Sequence, residues 1–103
     1  MSASGFIAVL VIDLHFPDAE SLKSKRKELS SIKAQLHRRL GAAVAEVGHQ
    51  DLWQRATLTA ALTSGSLTQL SSAADNLERW IVARWPEAVH VRRIVTSVED
   101  LGE

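Results

Sequence analysis

The sequence predicts an α+β domain of order β-α-β-β-α-β, with a four-stranded antiparallel sheet ordered 4-1-3-2 and two helices on one face. Three observations carry that prediction. Phe6 to Phe16 and Trp53 to Thr63 alternate in the two-residue rhythm of strands. Leu22, Leu29, Ile32, Leu36 and Leu40 recur at helical spacing, as do Leu67, Leu70, Ala74, Leu77 and Ile81. Turn residues separate the runs at Pro17-Asp18, Gly41, Gly48 and Ser64-Gly65.

The first strand carries Phe6, Ala8, Leu10, Ile12, Leu14 and Phe16 on one parity, and Ile7, Val9, Val11, Asp13 and His15 on the other. A strand apolar on nearly all of both faces belongs near the centre of a sheet. Ser21 can cap a helix running to Leu40, and Gly41 stands where a left-handed C-terminal cap is wanted. Ala43 to Val47 reads as a short strand, Gly48 to Leu52 as a turn, and Trp53 to Thr63 as a longer strand. Ser66, with Gln69 three residues on, fits the capping box of a second helix that Pro86 stops. Val89 to Val98 makes the last strand, and residues 99–103 read as a frayed acidic tail. The order is the split βαβ, or ferredoxin-like, arrangement in one domain over residues 1–103.

Composition narrows the partners. With 12 basic and 12 acidic residues the formal net charge is zero, so no global field draws the molecule to nucleic acid or membrane. There are no cysteines, which excludes disulfides and thiolate metal sites. The apolar run from Phe6 to Ile12 is too short to span a bilayer, and no basic flank marks a signal peptide. A cytoplasmic protein without a membrane partner is expected.

The topology should gather chemistry at one end of the sheet. His15, Asp18, the Ser21 to Lys27 turn, the His49 to Trp53 loop, Trp85 and His90 are expected to converge there, with His37 at the opposite end. From Ser21 to Leu40 the first helix holds seven Lys or Arg against one acid, Glu28. Four of them (Lys23, Lys25, Arg26, Lys27) lie near the positive end of the helix dipole, where each cation costs about 0.3–1 kcal/mol. Such a turn suits phosphate or carboxylate, although a run of charge is often only a solvated face.

Other chemistries read poorly. The His49-x-Asp51 spacing, even with His15 and His90 nearby, is weak as a metal motif. No nucleophile elbow or Gly-rich phosphate loop is present, so no catalytic residue, metal ligand or cofactor is assigned. Asp13 and Arg55, on adjacent central strands, are expected to form a structural ion pair. The same open face carries Val9, Val11, Thr57 and Thr59, an apolar patch that suits a second copy of the chain. Base stacking on this face is disfavoured, because Phe6 and Phe16 take the helix-facing parity and the chain has no Tyr. Trp80 and Trp85 are expected to pack in the core or at the helix edge, in preference to serving as ligand platforms.

Two segments carry a resemblance: Ser21-Leu22-Lys23-Ser24-Lys25-Arg26, and Val-Ala-Glu-Val-Gly-His-Gln-Asp-Leu-Trp-Gln-Arg-Ala from Val44 to Ala56. Together they resemble the YlxP-like family of small bacterial proteins, over about Phe6 to Val98. The resemblance implies a ferredoxin-like domain and carries no established activity. Family members are commonly encoded beside translation initiation and ribosome-maturation factors, which implies an RNA connection by association alone. Position 48 is Gly where the family pattern suggests Asp or Asn, and Gly48 is expected to loosen the loop while leaving His49 and Asp51 in place.

The leading functional reading is a small non-enzymatic binding protein that contacts RNA, in particular ribosomal RNA or a ribosomal subunit. Its expected surface is Lys23, Lys25, Arg26, His49, Gln50, Asp51, Trp53 and Arg55. The alternative is a homo-oligomeric module, a homodimer or larger, acting through Val9, Val11, Thr57 and Thr59. A third reading is a small-anion binder or enzyme using His49 and Asp51 beside the helix N-terminus.

Overall fold

Alternating apolar residues make β1 (Phe6–His15) the central strand of the computed structural model, which describes residues 4–85 and 89–102. It is followed by α1 (Leu22–Leu40), β2 (Ala43–Gly48), β3 (Arg55–Ser64), α2 (Leu67–Arg84), β4 (Val89–Ser97) and a single turn, α3 (Val98–Leu101). The sheet runs β2-β3-β1-β4 with every neighbouring pair antiparallel, which is the expected 4-1-3-2 order read from the other edge. Ala8, Leu10, Ile12 and Leu14 are wholly buried beneath the helices. From above, α1 contributes Leu29, Ile32 and Leu36, and α2 contributes Leu70, Ala74, Leu77 and Ile81. Full burial of each large aliphatic side chain stabilises the fold by about 1.5–3 kcal/mol. Leu22 and Leu67, counted in those seams from spacing, are the first residues of their helices and stay exposed.

The helix ends follow local chemistry. Ser21 Oγ accepts the Ser24 N–H at 3.1 Å, and Gly41 adopts φ 69° at the far end. There the Gly41 N–H donates to the His37 carbonyl, the 5→1 bond of an αL cap that needs a residue at ease with positive φ, and the Ala42 N–H donates to the Leu36 carbonyl. Ser66 Oγ caps α2 by accepting the Gln69 N–H at 3.2 Å. The other half of the expected capping box is filled differently, because Ser64 Oγ accepts the Ser66 N–H at 3.1 Å. Pro86, read as the stop of this helix, lies outside the described residues.

Three boundaries differ from the sequence reading. Trp53 and Gln54 belong to the loop, and β3 begins at Arg55. Residues 98–101 form a helical turn rather than a frayed tail: Ser97 Oγ accepts the Asp100 N–H at 3.2 Å, and Glu99 and Asp100 sit where the helix dipole favours acids. Finally, β2 carries a bulge, since Glu46 pairs with Leu58 but Gly48 pairs with Thr57.

Candidate functional site

Register brings the chain's polar end together. Asp13 lies opposite His90 and Thr57, His15 lies opposite Arg55, and the Phe16 N–H donates to the Gln54 carbonyl at 2.8 Å. The first turn of α1 reaches the same end through Lys25, whose ammonium donates to the His49 carbonyl at 2.6 Å and to the Leu52 carbonyl. His37 lies at the other end of α1, with Nδ1 3.1 Å from the Ala42 carbonyl oxygen.

Lys25 corrects the surface drawn from sequence. Its side chain is 1% exposed, so it is an interior residue and offers no charge to a ligand. The reason is its phase: Lys25, Leu29, Ile32 and Leu36 are the buried residues of α1, at spacings of four, three and four. The buried ammonium is compensated by the two carbonyls and by Glu46, whose Oε2 is 3.9 Å away. Burial pushes its pKa below the usual lysine value of 10.5; Glu46 opposes this, Arg26 adds to it, and Asp51 opposes it more weakly.

The two carbonyls that Lys25 holds belong to one turn. The Leu52 N–H donates back to the His49 carbonyl at 3.1 Å, closing residues 49–52. His49 starts that turn at φ 59°, the sole positive φ on a non-glycine among the described residues. Gly48 is not the loose hinge expected of it. A Cβ there would lie 3.2 Å from Thr57 Cβ and 3.3 Å from its Oγ1, so glycine permits close approach of β2 and β3.

Around this buried anchor the remaining polar side chains face solvent. Lys23, Arg26 and Lys27 are exposed on α1, and His49, Gln50 and Asp51 are exposed on the turn. Leu52 and Trp53 are nearly half exposed, at 48% and 47%, which is unusual for side chains of their size. Arg55 belongs elsewhere. It has the parity opposite to buried Ala56, so it lies on the open face beside His15, away from the helix layer.

The expected Asp13–Arg55 ion pair is not formed. Asp13 Oδ1 instead accepts the Thr57 hydroxyl at 2.7 Å, because the register sets Asp13 against Thr57 and leaves Arg55 two residues along. Val9, Val11, Thr57 and Thr59 do share the open face. Beside them β4 presents Ile94, 51% exposed and opposite Val9, a residue that sequence reasoning passed over. Trp80 and Trp85 pack against the core, with the Arg84 guanidinium 5.7 Å and 4.9 Å from their rings. Among the described residues no three His, Cys, Asp or Glu side chains converge as a metal-ligand set. None of the described helices is long and apolar enough to cross a membrane.

A one-layer antiparallel sheet backed by two helices, with a lysine-anchored turn at one end, defines a small α+β domain. Its family follows from comparison. The model for "Protein of unknown function (DUF503)" matches residues 7–100, and the chain belongs to that family. It is 32% identical over 82 residues to the Bacillus subtilis (strain 168) protein described as "Uncharacterized protein YlxP", covering 80% of this chain and 85% of the relative. The YlxP-like resemblance carried by the two motifs therefore holds. Among solved structures, "De novo designed protein Foldit4" superposes with a TM-score of 0.56 at 11% identity, covering 88% of this chain and 97% of the design. That likeness concerns the fold alone.

Proposed function

We infer that the protein is a non-enzymatic binding protein for RNA, with ribosomal RNA the class favoured by the family resemblance. The binding surface is the basic first turn of α1 together with the 49–53 turn. The observation that carries this reading is the Lys25 anchor, whose bonds to the His49 and Leu52 carbonyls make helix turn and loop one preorganised unit. Preorganisation removes part of the ordering cost of binding. Lys23 and Arg26 supply cations for phosphate, and Trp53 supplies an exposed indole on which an unpaired base can stack. Lys25 acts from inside as a positioning residue. Single-stranded segments are the favoured target, because their splayed bases are available to an aromatic side chain.

Fluorescence anisotropy with labelled single-stranded RNA tests this reading. Trp53→Ala should weaken binding by about 1–3 kcal/mol, the usual worth of one base–aromatic stack. Equal affinity in wild type and Trp53→Ala would remove the indole from the account.

A further inference from the structure

Among the described residues no strand pairs with the outer side of β4, and two adjacent apolar residues stand exposed there. Ile94, opposite Val9, lies on the open face and is 51% exposed; Val95, opposite buried Ala8, lies on the helix side and is 46% exposed. A partner docked on either face would cover one of them. A strand added at the edge adjoins both, because successive side chains of a strand point to opposite faces.

The phase of the ladder identifies the unpaired main-chain groups. In antiparallel pairing, alternate residues of a strand bond to a given neighbour. The Phe16 N–H bonds to Gln54 and the Val98 N–H to Gly5, so even-numbered residues of β1 bond to β3 and odd-numbered residues to β4. His90, Arg92, Ile94 and Thr96 therefore turn their N–H and C=O groups inward, while Val91, Arg93, Val95 and Ser97 turn theirs to the open edge. Charge ordinarily guards such an edge, yet the Arg93 guanidinium is held back on α2 by Asp75 at 2.9 Å and Glu78 at 3.4 Å.

We propose that β4 pairs antiparallel with β4 of a second copy, about a two-fold axis at Ile94, joining the two sheets into one. The register follows from the phase, since outward-bonding residues must face one another. An axis at Arg92 or Arg93 would set like charges directly opposite, and axes further along in either direction shorten the ladder. The axis at Ile94 sets Ile94 against its own copy, Val95 against the stem of Arg93, Arg92 against Thr96 and Val91 against Ser97. That ladder makes about eight main-chain hydrogen bonds. A strand identical to β4 satisfies these pairings in both directions at once, as a two-fold contact requires. Pairing β4 with the opposite edge would propagate without closing, and the bulge between Glu46 and Gly48 interrupts that edge. The 49–53 turn, which joins β2 to β3 on the far side of β1, stays uncovered.

Sedimentation velocity of the full chain across micromolar concentrations, without RNA, tests the proposal independently of the RNA reading. Wild type is expected to approach twice the chain mass as concentration rises. Residue 94 meets its own copy on the axis, so Ile94→Lys alone and Ile94→Glu alone should each raise the dimer dissociation constant about tenfold or more, and an equimolar mixture of the two should recover the dimer. Val95→Pro removes an outward N–H and spares the bonds to β1; with two main-chain bonds lost per dimer, it should raise that constant about thirtyfold. A thermal melt on each variant establishes that it is folded. In wild type, amide exchange at Val91, Arg93 and Val95 should slow as concentration rises, while exchange at Arg92 and Ile94 stays constant. A single-chain mass at every concentration would overturn the proposal. So would a dimer indifferent to Val95→Pro, or residue 94 variants that fail to recover on mixing.

Discussion

The ammonium of Lys25 lies 2.6 Å from the carbonyl oxygen of His49 and also donates to that of Leu52, so a side chain of α1 holds both ends of a turn 24 and 27 residues further on. Both partners are fixed backbone groups, and the donor is charged. Such bonds contribute more than neutral ones, about 1.5–3 kcal/mol each before the cost of burying the charge.

Replacing Lys25 with Met keeps the apolar stem and removes the donor. The His49 carbonyl retains its bond from the Leu52 N–H, whereas the Leu52 carbonyl loses its partner. Lys25→Met should lower stability by about 1–2 kcal/mol, seen as a Tm several degrees lower and faster hydrogen exchange at the Leu52 amide. Unchanged exchange at Leu52 would show that the turn stands without the lysine.

The lowered pKa of Lys25 sets the sign of a pH effect. Between its native value and 10.5 the unfolded chain binds more protons at this site than the folded chain, so stability rises with pH across that window. Below the native value the burial penalty is present in full. The stability difference between wild type and Lys25→Met, measured by urea unfolding, should therefore move in favour of wild type as pH rises toward 10.5. Movement the other way would mean that the carbonyls and Glu46 outweigh burial.

The 48–49 dipeptide offers a contrasting pair of backbone tests. His49 has φ 59°, so His49→Gly should preserve stability or raise it by up to ~1 kcal/mol, while His49→Val should lower it by about 1–2 kcal/mol. Gly48→Ala presses a methyl onto Thr57, whose hydroxyl is held by Asp13 and cannot turn away freely. A loss of about 1 kcal/mol is expected, as for mild overpacking. Chemical denaturation of the three variants gives the ordering directly.

Most of the fold could be read from the sequence because its signals are local and redundant. The alternation of β1 and the caps at Ser21, Gly41 and Ser66 each specify an element without reference to the rest of the chain. The site was less legible. Lys25 stands among exposed cations in sequence, and its charge hid the clue that it keeps phase with Leu29, Ile32 and Leu36. Trp53 alternates correctly for a strand, yet the turn that Lys25 fixes holds it outside β3. Asp13 chose Thr57 over Arg55 by a register that strand parity alone does not set.

Removing Lys25 from the surface leaves Lys23, Arg26 and Lys27 as the exposed cations of the first turns of α1. If those three each neutralise one phosphate of a single strand, log affinity should fall against log salt with a slope of about −2. The Lys23→Glu/Arg26→Glu double variant, with one cation left, should flatten that slope to about −0.7. A salt titration of RNA anisotropy measures both.

The most direct measurement is co-sedimentation of the purified protein with ribosomal subunits at low and physiological salt. The RNA account predicts retention that weakens with salt and is lost in the folded Lys23→Glu/Arg26→Glu variant. Absence of retention at both salts, or equal retention of that variant, would contradict it and leave the cations of α1 as a solvated face.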